Sequence, residues 1–331
     1  MNKRHLVIAV VTAVLMGALG LALGRYGAYL INAVAIAAIG ALSLNLLIGY
    51  CGQISFAQGA LLGVGAYTAG NLANLGLDGF FAVLGAGVMG AAISMLIGLP
   101  AIRLRGLYFA IATLSAQAIL EYLFKTIDPL TNGVTGLVIN PPRMLGFSMA
   151  SNAGLVVPSL VILVIVWLVV SRLLQIELGR TFLVMRESEI VAKGMGIDVG
   201  RTKMWAFLIA GFIAGMAGAL TGFANRLANP EAFTLDLSAD YIAMIIIGGL
   251  GTWPGAIIGA AFVVLLPEVI QRVGEAAGIS DILSAVRELA FGLLIILFLI
   301  FEPRGLTALL GKLRPRAATQ ASPAQLSVAD K

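Results

Sequence analysis

Long apolar runs, separated by short polar segments, constrain the fold of this chain more than any other feature. Of its 331 residues, 60% are hydrophobic and 11% are charged, whereas a soluble domain carries about 25% charged residues. Most runs are close to the length of about 20 residues that an α-helix needs to cross a bilayer. They are Leu6 to Gly24, Gly27 to Ile48, Ile54 to Leu75, Phe80 to Ile102, Leu107 to Phe124, Leu155 to Ser171 and Met204 to Ala224. The sequence therefore predicts an all-α, polytopic transmembrane helix bundle in a lipid bilayer.

Two further apolar segments are less regular. The last run ends at Phe301 and must extend back towards Ile282, which brings Arg287 and Glu288 near an interface. The segment Tyr241 to Pro267 is interrupted by glycine and proline, at Gly248, Gly249, Gly251, Pro254 and Gly255. With these segments the chain has about 8 to 10 membrane segments, including a broken or re-entrant pair at 241–267.

The positions of Lys and Arg predict how the segments are oriented. Basic residues concentrate in the cytoplasmic loops of membrane proteins. A cytoplasmic N-terminus places the basic stretch Arg172 to Lys203 on the cytoplasmic side as well. The basic C-terminal tail joins it only if 241–267 enters and returns, which leaves Asp236 and Gln271 both outside. We predict that both termini are cytoplasmic, and a cleaved signal peptide over residues 1–24 is the alternative.

Several classes of chemistry are excluded or disfavoured. One cysteine and one histidine leave no internal disulfide and no Cys/His set for a structural zinc. Within the predicted spans only Glu121, one turn from a span end, is an acidic residue, so a proton relay is disfavoured. The nearest phosphate-loop-like string, Gly305 followed by Gly311 and Lys312, has the wrong glycine spacing. We therefore predict no enzyme activity, no cofactor and no nucleic-acid partner, and any ATP must be hydrolysed by a separate protein.

Neutral polar residues and irregular glycine segments predict where a solute passes. Gln53, Ser55 and Gln58 cluster in a glycine-rich stretch that suits hydrogen bonding to a zwitterionic or amide solute. Irregular backbone at membrane depth must be buried in protein or line a watery cavity, which makes 248–255 a pore or hinge candidate. The translocation-path candidates are Asn45, Gln53, Ser55, Gln58, Thr113, Gly248, Gly249 and Gly251. Ordinary hydrogen bonds and close packing between helices remain the alternative.

Four strings, in order, carry a resemblance to a known family. They are LNLLIGYCGQISFAQGALLGVGAYTAG (Leu44 to Gly70), TNGVTGL (Thr131 to Leu137), GRTFLVMRESEIVAKGMGIDVGRTKMWAFLIAGFIAGMAGAL (Gly179 to Leu220) and GGLGTWPGAIIGA (Gly248 to Ala260). The chain resembles the membrane permease subunits of branched-chain amino acid ABC importers, specifically the LivM type. The resemblance implies a bacterial inner-membrane importer with two ATP-binding subunits, a paralogous second permease and a periplasmic substrate-binding protein.

The resemblance also implies that the third string contains a cytoplasmic coupling helix that docks on the ATPase. Ser188 can cap a short helix whose first turn carries Glu189, and Gly194 and Gly196 can end it. Apolar side chains between the charges form a compact knob, namely Ile190, Val191, Ala192 and Met195. We assign ATPase coupling to Glu187, Ser188, Glu189, Ala192 and Gly196. An amphipathic helix on the lipid surface is the alternative.

These observations predict one membrane domain over residues 1–311, with the coupling loop at 172–203, and a disordered cytoplasmic tail at 312–331. The expected mechanism is alternating access. A binding protein delivers an amino acid to the outer face, ATPase closure pushes the coupling helix, and the helices around Gln53 to Gln58 and Gly248 to Gly255 reopen inward. Two other functions remain open, namely an importer of urea, short amides or other amino acids, and an autonomous channel or sodium-coupled carrier.

Overall fold

The structure is a computed structural model that describes residues 24–104, 106–144, 147–149 and 151–276, together with 292–293, 296 and 305–307. Two sequence predictions lie almost entirely outside these residues, namely the first run, Leu6 to Gly24, and the last run, which ends at Phe301. The predicted tail at 312–331 also lies outside them.

Helices make up most of the described chain. In order they are α1 (Gly24–Asn45, continued by a π-helical turn Leu46–Tyr50), α2 (Gln58–Asn74), α3 (Gly79–Gly98, continued by a 3-10 turn Leu99–Ile102), α4 (Leu107–Thr126), the single turn α5 (Asp128–Thr131), α6 (Asn152–Leu173), α7 (Glu177–Glu187), α8 (Glu189–Gly194), α9 (Val199–Asn225), α10 (Leu235–Gly248) and α11 (Trp253–Ala276). Short 3-10 turns also occur at Gly133–Thr135 and Pro230–Ala232.

Six helices among the described residues are long and apolar enough to cross a membrane. They are Gly24–Tyr50, Gly79–Ile102, Leu107–Thr126, Asn152–Leu173, Val199–Asn225 and Trp253–Arg272. The predicted polytopic helical bundle is therefore confirmed. The run predicted at Ile54 to Leu75 differs, because α2 begins only at Gln58 and has 17 residues. The chain before it is not helical, and Gly52 has a positive φ of 69° there.

The predicted break at 241–267 is present, between α10 and α11. Gly249 and Gly251 have positive φ angles of 121° and 72°, which favour glycine and end the first helix. The two helices run antiparallel, because Gly248 lies against Gly255 and Gly259 lies against Met244. The pair is a hairpin with unequal arms, since α10 has 14 residues and α11 has 24. Of the two arms, α10 is too short to cross a bilayer, whereas α11 is long enough.

The central helix of the bundle is α9, which packs against α1, α2 and α3. Its glycines allow the backbones to approach closely. A Cβ on Gly218 would lie 2.0 Å from the carbonyl oxygen of Leu62 in α2, and one on Gly211 would lie 2.5 Å from that of Gly90 in α3. Small residues at such crossings are typical of helix packing in membranes, where close contact replaces the hydrophobic effect.

The bundle has two distinct ends. We call one of them the coupling end, because the predicted coupling loop lies there. It contains α7, α8 and the start of α9, together with the end of α1, the 3-10 turn after α3 and the tip of the hairpin. Thr307 also lies there, because its hydroxyl donates to the carbonyl of Gly248 at 3.1 Å.

We call the opposite end the outer end. It carries two small antiparallel β pairs, β1 (Leu137–Val138) with β4 (Leu227–Ala228) and β2 (Arg143–Met144) with β3 (Phe147–Ser148). The start of α10 and the far half of α11 lie at this end, since Leu237 and Pro267 line one cavity.

Candidate coupling and translocation sites

The short helix α8 is defined by its cap, as the sequence predicts. Ser188 has an extended backbone, with φ −163° and ψ 117°, which separates α8 from α7. Its hydroxyl accepts a hydrogen bond from the backbone N–H of Val191 at 3.4 Å, the usual role of serine at a helix N-terminus. The helix ends at Gly194, and Gly196 continues the chain with a positive φ of 80°. The predicted capping by Ser188 and the stop at these glycines are confirmed.

Glu189, the first residue of α8, points towards the bundle and not towards water. Its carboxylate pairs with the Lys203 ammonium at 2.6 Å, and the two side chains are only 16% and 1% exposed. The Gln53 amide donates to the same carboxylate at 3.3 Å, and Lys203 also donates to the carbonyl of Ala101 at 3.0 Å. Glu189 therefore connects α8 to the loop after α1, to α9 and, through Lys203, to the end of α3.

Arg186, near the end of α7, makes a second connection. Its guanidinium donates to the carbonyl of Gly49 in the π-helical turn that ends α1. Gly52 packs against the Arg186 backbone, and a Cβ on Gly251 would lie 2.6 Å from the Arg186 guanidinium. One side chain thus touches both the end of α1 and the tip of the hairpin. Sequence reasoning missed Arg186 and Lys203, since neither position follows a local pattern that predicts its partner.

The exposed face of α8 carries three large apolar side chains. Ile190, Val191 and Met195 are 75%, 56% and 67% exposed. The fourth member of the predicted knob, Ala192, is fully buried against the bundle, so the exposed knob consists of three residues. Glu187 is exposed at the end of α7. The assignment of Glu187, Ser188, Glu189, Ala192 and Gly196 to ATPase coupling stays a prediction.

Asn45 holds the tip of the hairpin. Its side-chain oxygen accepts from the backbone N–H of Gly251 at 2.9 Å, and its amide donates to the carbonyl of Thr252 at 2.9 Å. Gly248 is in contact with the backbone of Gly255, where an added Cβ would lie 1.9 Å from the carbonyl oxygen. The structure thus brings four path candidates together, Asn45, Gly248, Gly249 and Gly251, in one closely packed node at the coupling end. Their part in solute passage stays a prediction.

Three other path candidates, Ser55, Gln58 and Thr113, lie at the buried N-terminus of α2, while Gln53 contacts Glu189. The first N–H groups of a helix have no partner within it, and here other side chains supply one. Thr113 accepts from Phe56 at 3.0 Å and Ser55 from Ala57 at 3.4 Å. Ser238 and Gln117 accept in the same way from Gly59 and Ala60. Ser238 and Gln117 therefore supply partners to the first turn of α2, whereas Thr113 and Ser55 accept from the two residues before it, and their part in solute passage stays a prediction.

Gln58 differs from the neighbouring polar residues because the oxygen of its side-chain amide lacks a hydrogen-bond partner among the described residues. Its nitrogen donates to the carbonyl of Gly40 in α1 at 3.0 Å, while its side-chain oxygen is buried with no hydrogen bond among the described residues. The Tyr241 ring covers the same Gly40, where an added Cβ would lie 2.5 Å from the ring. A buried acceptor without a donor is costly, so this oxygen is positioned to accept from a water or a solute.

A cavity of about 340 Å³ lies on the outer side of Tyr241, between α1, α9, α10 and α11. Its apolar wall includes Ile36, Met244 and Val263, and its polar residues include Asn225 and Asp240. We call it the outer cavity. Sequence reasoning missed Asp240, because the residue lies directly before the apolar segment that begins at Tyr241.

The comparisons with known proteins agree with this architecture. The family described as the permease component of branched-chain amino acid transport systems matches residues 26–300. The chain belongs to this permease family. The suspected resemblance is thereby confirmed, and the chain is a multi-pass membrane protein.

Three relatives of this permease carry descriptive names. It is 31% identical over 290 residues to the high-affinity branched-chain amino acid transport permease LivM of Escherichia coli (strain K12), covering 80% of this chain and 66% of LivM. It is 26% identical over 309 residues to a probable branched-chain amino acid permease LivM of Methanocaldococcus jannaschii, covering 80% and 88%. It is 26% identical over 285 residues to LivH of Escherichia coli (strain K12), covering 80% and 89%. The permease thus spans just under two thirds of the first relative. No solved structure gives a significant match.

Proposed function

We propose that this chain is the membrane-spanning permease subunit of an ATP-binding cassette importer for branched-chain amino acids in a bacterial inner membrane. Two relatives from Escherichia coli (strain K12) are both named as permease proteins of a high-affinity branched-chain amino acid transport system, LivM and LivH, which supports a second, paralogous permease as a partner. Two ATP-binding subunits supply the energy, and a periplasmic binding protein delivers the amino acid. The coupling end and both termini face the cytoplasm.

The observation that carries this proposal is the exposed knob of Ile190, Val191 and Met195 on an anchored short helix. Exposed apolar clusters rimmed by polar groups mark sites of interaction, and a short amphipathic helix fits a groove in another protein. Because Glu189 and Arg186 bind α7 and α8 to the bundle, a force on the knob is transmitted to the rest of the chain. The contacts lead directly to α1, α9 and the hairpin tip.

Transport by the complete complex tests the assigned function. We expect proteoliposomes with this permease, its second permease, both ATPases and the binding protein to take up leucine, isoleucine or valine only when ATP is present. Proteoliposomes with this permease alone should take up none. Uptake by the permease alone, or by the complex without ATP, would identify a channel or a carrier. Uptake of urea in place of the branched-chain amino acids would reassign the solute.

The role of the knob is tested by Val191→Lys. A charge placed in an apolar docking groove is buried without a partner, which costs several kcal/mol, so the variant should lose the ATPases on purification and lose uptake. Val134→Lys, at an exposed valine of the outer end, is the matched control and should retain both. A helix on the lipid surface would tolerate the lysine, since anionic headgroups attract it. Normal ATPase recovery with Val191→Lys would therefore reject the docking role.

A further inference from the structure

We propose that the outer cavity is a binding site for the amino acid within the permease, in which the Asp240 carboxylate pairs with the α-ammonium group. This inference rests on the proposed function, because it specifies where the transported solute binds. It also names the side chain that binds the α-ammonium group of the solute, which the proposed function leaves unassigned.

The size and position of the cavity support this role. Its volume of about 340 Å³ is near the lower end of the range, about 300 to 1,000 Å³, that is typical of small-molecule pockets. It lies at the outer end, where a periplasmic binding protein would release its solute. Its walls come from both arms of the hairpin and from α1 and α9, so the hairpin can change the cavity when its tip moves.

The chemistry of the lining divides into two parts. Ile36, Ala37, Met244 and Val263 are buried apolar residues of the lining and match a branched aliphatic side chain. Asp240 supplies negative charge, and on α9 the Asn225 amide can donate to a solute carboxylate. A zwitterion with an aliphatic side chain therefore has a complementary group for each of its three parts.

Asp240 lacks a charge partner within the described chain. It forms no ion pair among the described residues, and the charge that acts on it there is the like charge of Asp236. A half-buried carboxylate beside another carboxylate is stabilised by a cation. Neutral urea would leave this charge unpaired, whereas an amino acid would neutralise it. Charge therefore favours the amino acid over an amide as the solute.

The cavity also leads towards the predicted path. Tyr241 lines the cavity and covers Gly40, whose carbonyl oxygen accepts from Gln58. The Gln58 oxygen that lacks a hydrogen-bond partner therefore lies close to the tyrosine ring. A solute that leaves the outer cavity when Tyr241 moves would meet this acceptor at the first residue of α2.

Asp240→Asn in the complete importer tests the proposal. We expect leucine uptake to fall by about tenfold or more, which corresponds to the loss of one good ionic contact. ATP hydrolysis stimulated by the binding protein, and recovery of all subunits, should remain normal. Asp240→Glu should retain part of the uptake. Glu231→Gln is the matched control, because Glu231 is exposed at the outer end and does not line the cavity, and it should stay within about twofold of the unmodified importer.

A binding measurement separates recognition of the amine from a structural role. In a Cys51→Ser background, Val264→Cys places a thiol in the cavity lining. Leucine and 3-methylbutylamine should slow its reaction with a small maleimide, whereas 4-methylpentanoate, which lacks the amine, should not. With Asp240→Asn the protection by 3-methylbutylamine should disappear.

Three results would overturn the proposal. The first is normal uptake by Asp240→Asn, and the second is equal protection by 4-methylpentanoate and by the amine. The third is loss of the second permease from the Asp240→Asn complex, which would assign Asp240 to the interface between permeases. Failure of the proposed function can be distinguished from failure of the proposed binding site. An importer that takes up no branched-chain amino acid but shows amine protection would refute the proposed function and keep the site.

Discussion

Two asparagines, one at each end of the bundle, show how differently the two ends are built. Asn45 at the coupling end accepts from the N–H of Gly251 and donates to the carbonyl of Thr252. Asn74 at the outer end accepts from the N–H of Asn140 at 3.0 Å and donates to the carbonyl of Val138 at 2.8 Å. Each side chain thus holds two backbone groups of a distant loop. Asn45 is 1% exposed, whereas Asn74 is exposed.

The ion pairs differ in the same way. Lys203 and Glu189 form a buried pair at 2.6 Å at the coupling end. Lys125 and Glu121 form a pair at 3.1 Å near the outer end, where the two side chains are 42% and 23% exposed. Water can replace a lost partner at the exposed sites but not at the buried ones. We therefore expect the coupling end to be the stiffer of the two, as the proposed transmission of force from a docked ATPase requires, and the outer end to adapt around the proposed solute.

The largest loss of stability is expected from Lys203→Met. Removal of one partner from a buried ion pair leaves the other charge uncompensated and costs about 3 to 5 kcal/mol. The midpoint of thermal unfolding of the purified permease in detergent should fall clearly. The matched change at the outer end, Lys125→Met, should cost less than about 1 kcal/mol, since exposed pairs contribute little. Equal destabilisation by the two changes would contradict the difference between the ends.

A double variant sharpens this prediction. Glu189→Gln in the Lys203→Met background removes the unpaired carboxylate, so part of the lost stability should return. The coupling between the two positions, measured by a double-mutant cycle, should be large for residues 189 and 203 and small for residues 121 and 125. Additive losses at residues 189 and 203 would mean that the pair does not act as a unit.

The difference in stability between Asn45→Ala and Asn74→Ala is expected to be smaller than that between the two lysine variants. Loss of Asn45 leaves a half-buried N–H and a half-buried carbonyl at the hairpin tip without partners, which should cost about 1 to 3 kcal/mol in all. Loss of Asn74 exposes its two backbone partners to water and should cost about 1 kcal/mol or less. Thermal unfolding in detergent measures both. If Asn74→Ala is as destabilising as Asn45→Ala, burial does not distinguish the two ends.

The smallest effects come from two glycines within the coupling end. Gly248→Ala places a Cβ 1.9 Å from the Gly255 carbonyl oxygen, and overpacking of this kind costs about 1 to 3 kcal/mol. Gly194→Ala meets nothing within 4 Å and lies in a helix, so it should be neutral or stabilise by up to about 1 kcal/mol. Thermal unfolding midpoints that move in opposite directions would locate the stiffness at the hairpin tip. A stable Gly248→Ala variant would show that the two arms can separate.

The sequence by itself determined the membrane class, most of the helices and the local features of the coupling loop. Apolar runs of bilayer length predict helices because only internally hydrogen-bonded structure is stable in hydrocarbon. The cluster of glycine and proline residues at 248–255 predicts the break between α10 and α11, and Ser188 predicts the start of α8. Each of these features depends on neighbours a few residues away, which is why a sequence read in order reveals them.

The tertiary structure alone decided which distant groups meet. Glu189 pairs with Lys203 across a turn between helices, Arg186 reaches a carbonyl 137 residues away, and Ala192 faces the bundle although its neighbours face water. Asp240 gains its proposed role only because α1, α9, α10 and α11 form a cavity beside it. These contacts depend on how the helices cross and rotate, which is set by packing of small residues over the whole bundle and leaves no local pattern in the sequence.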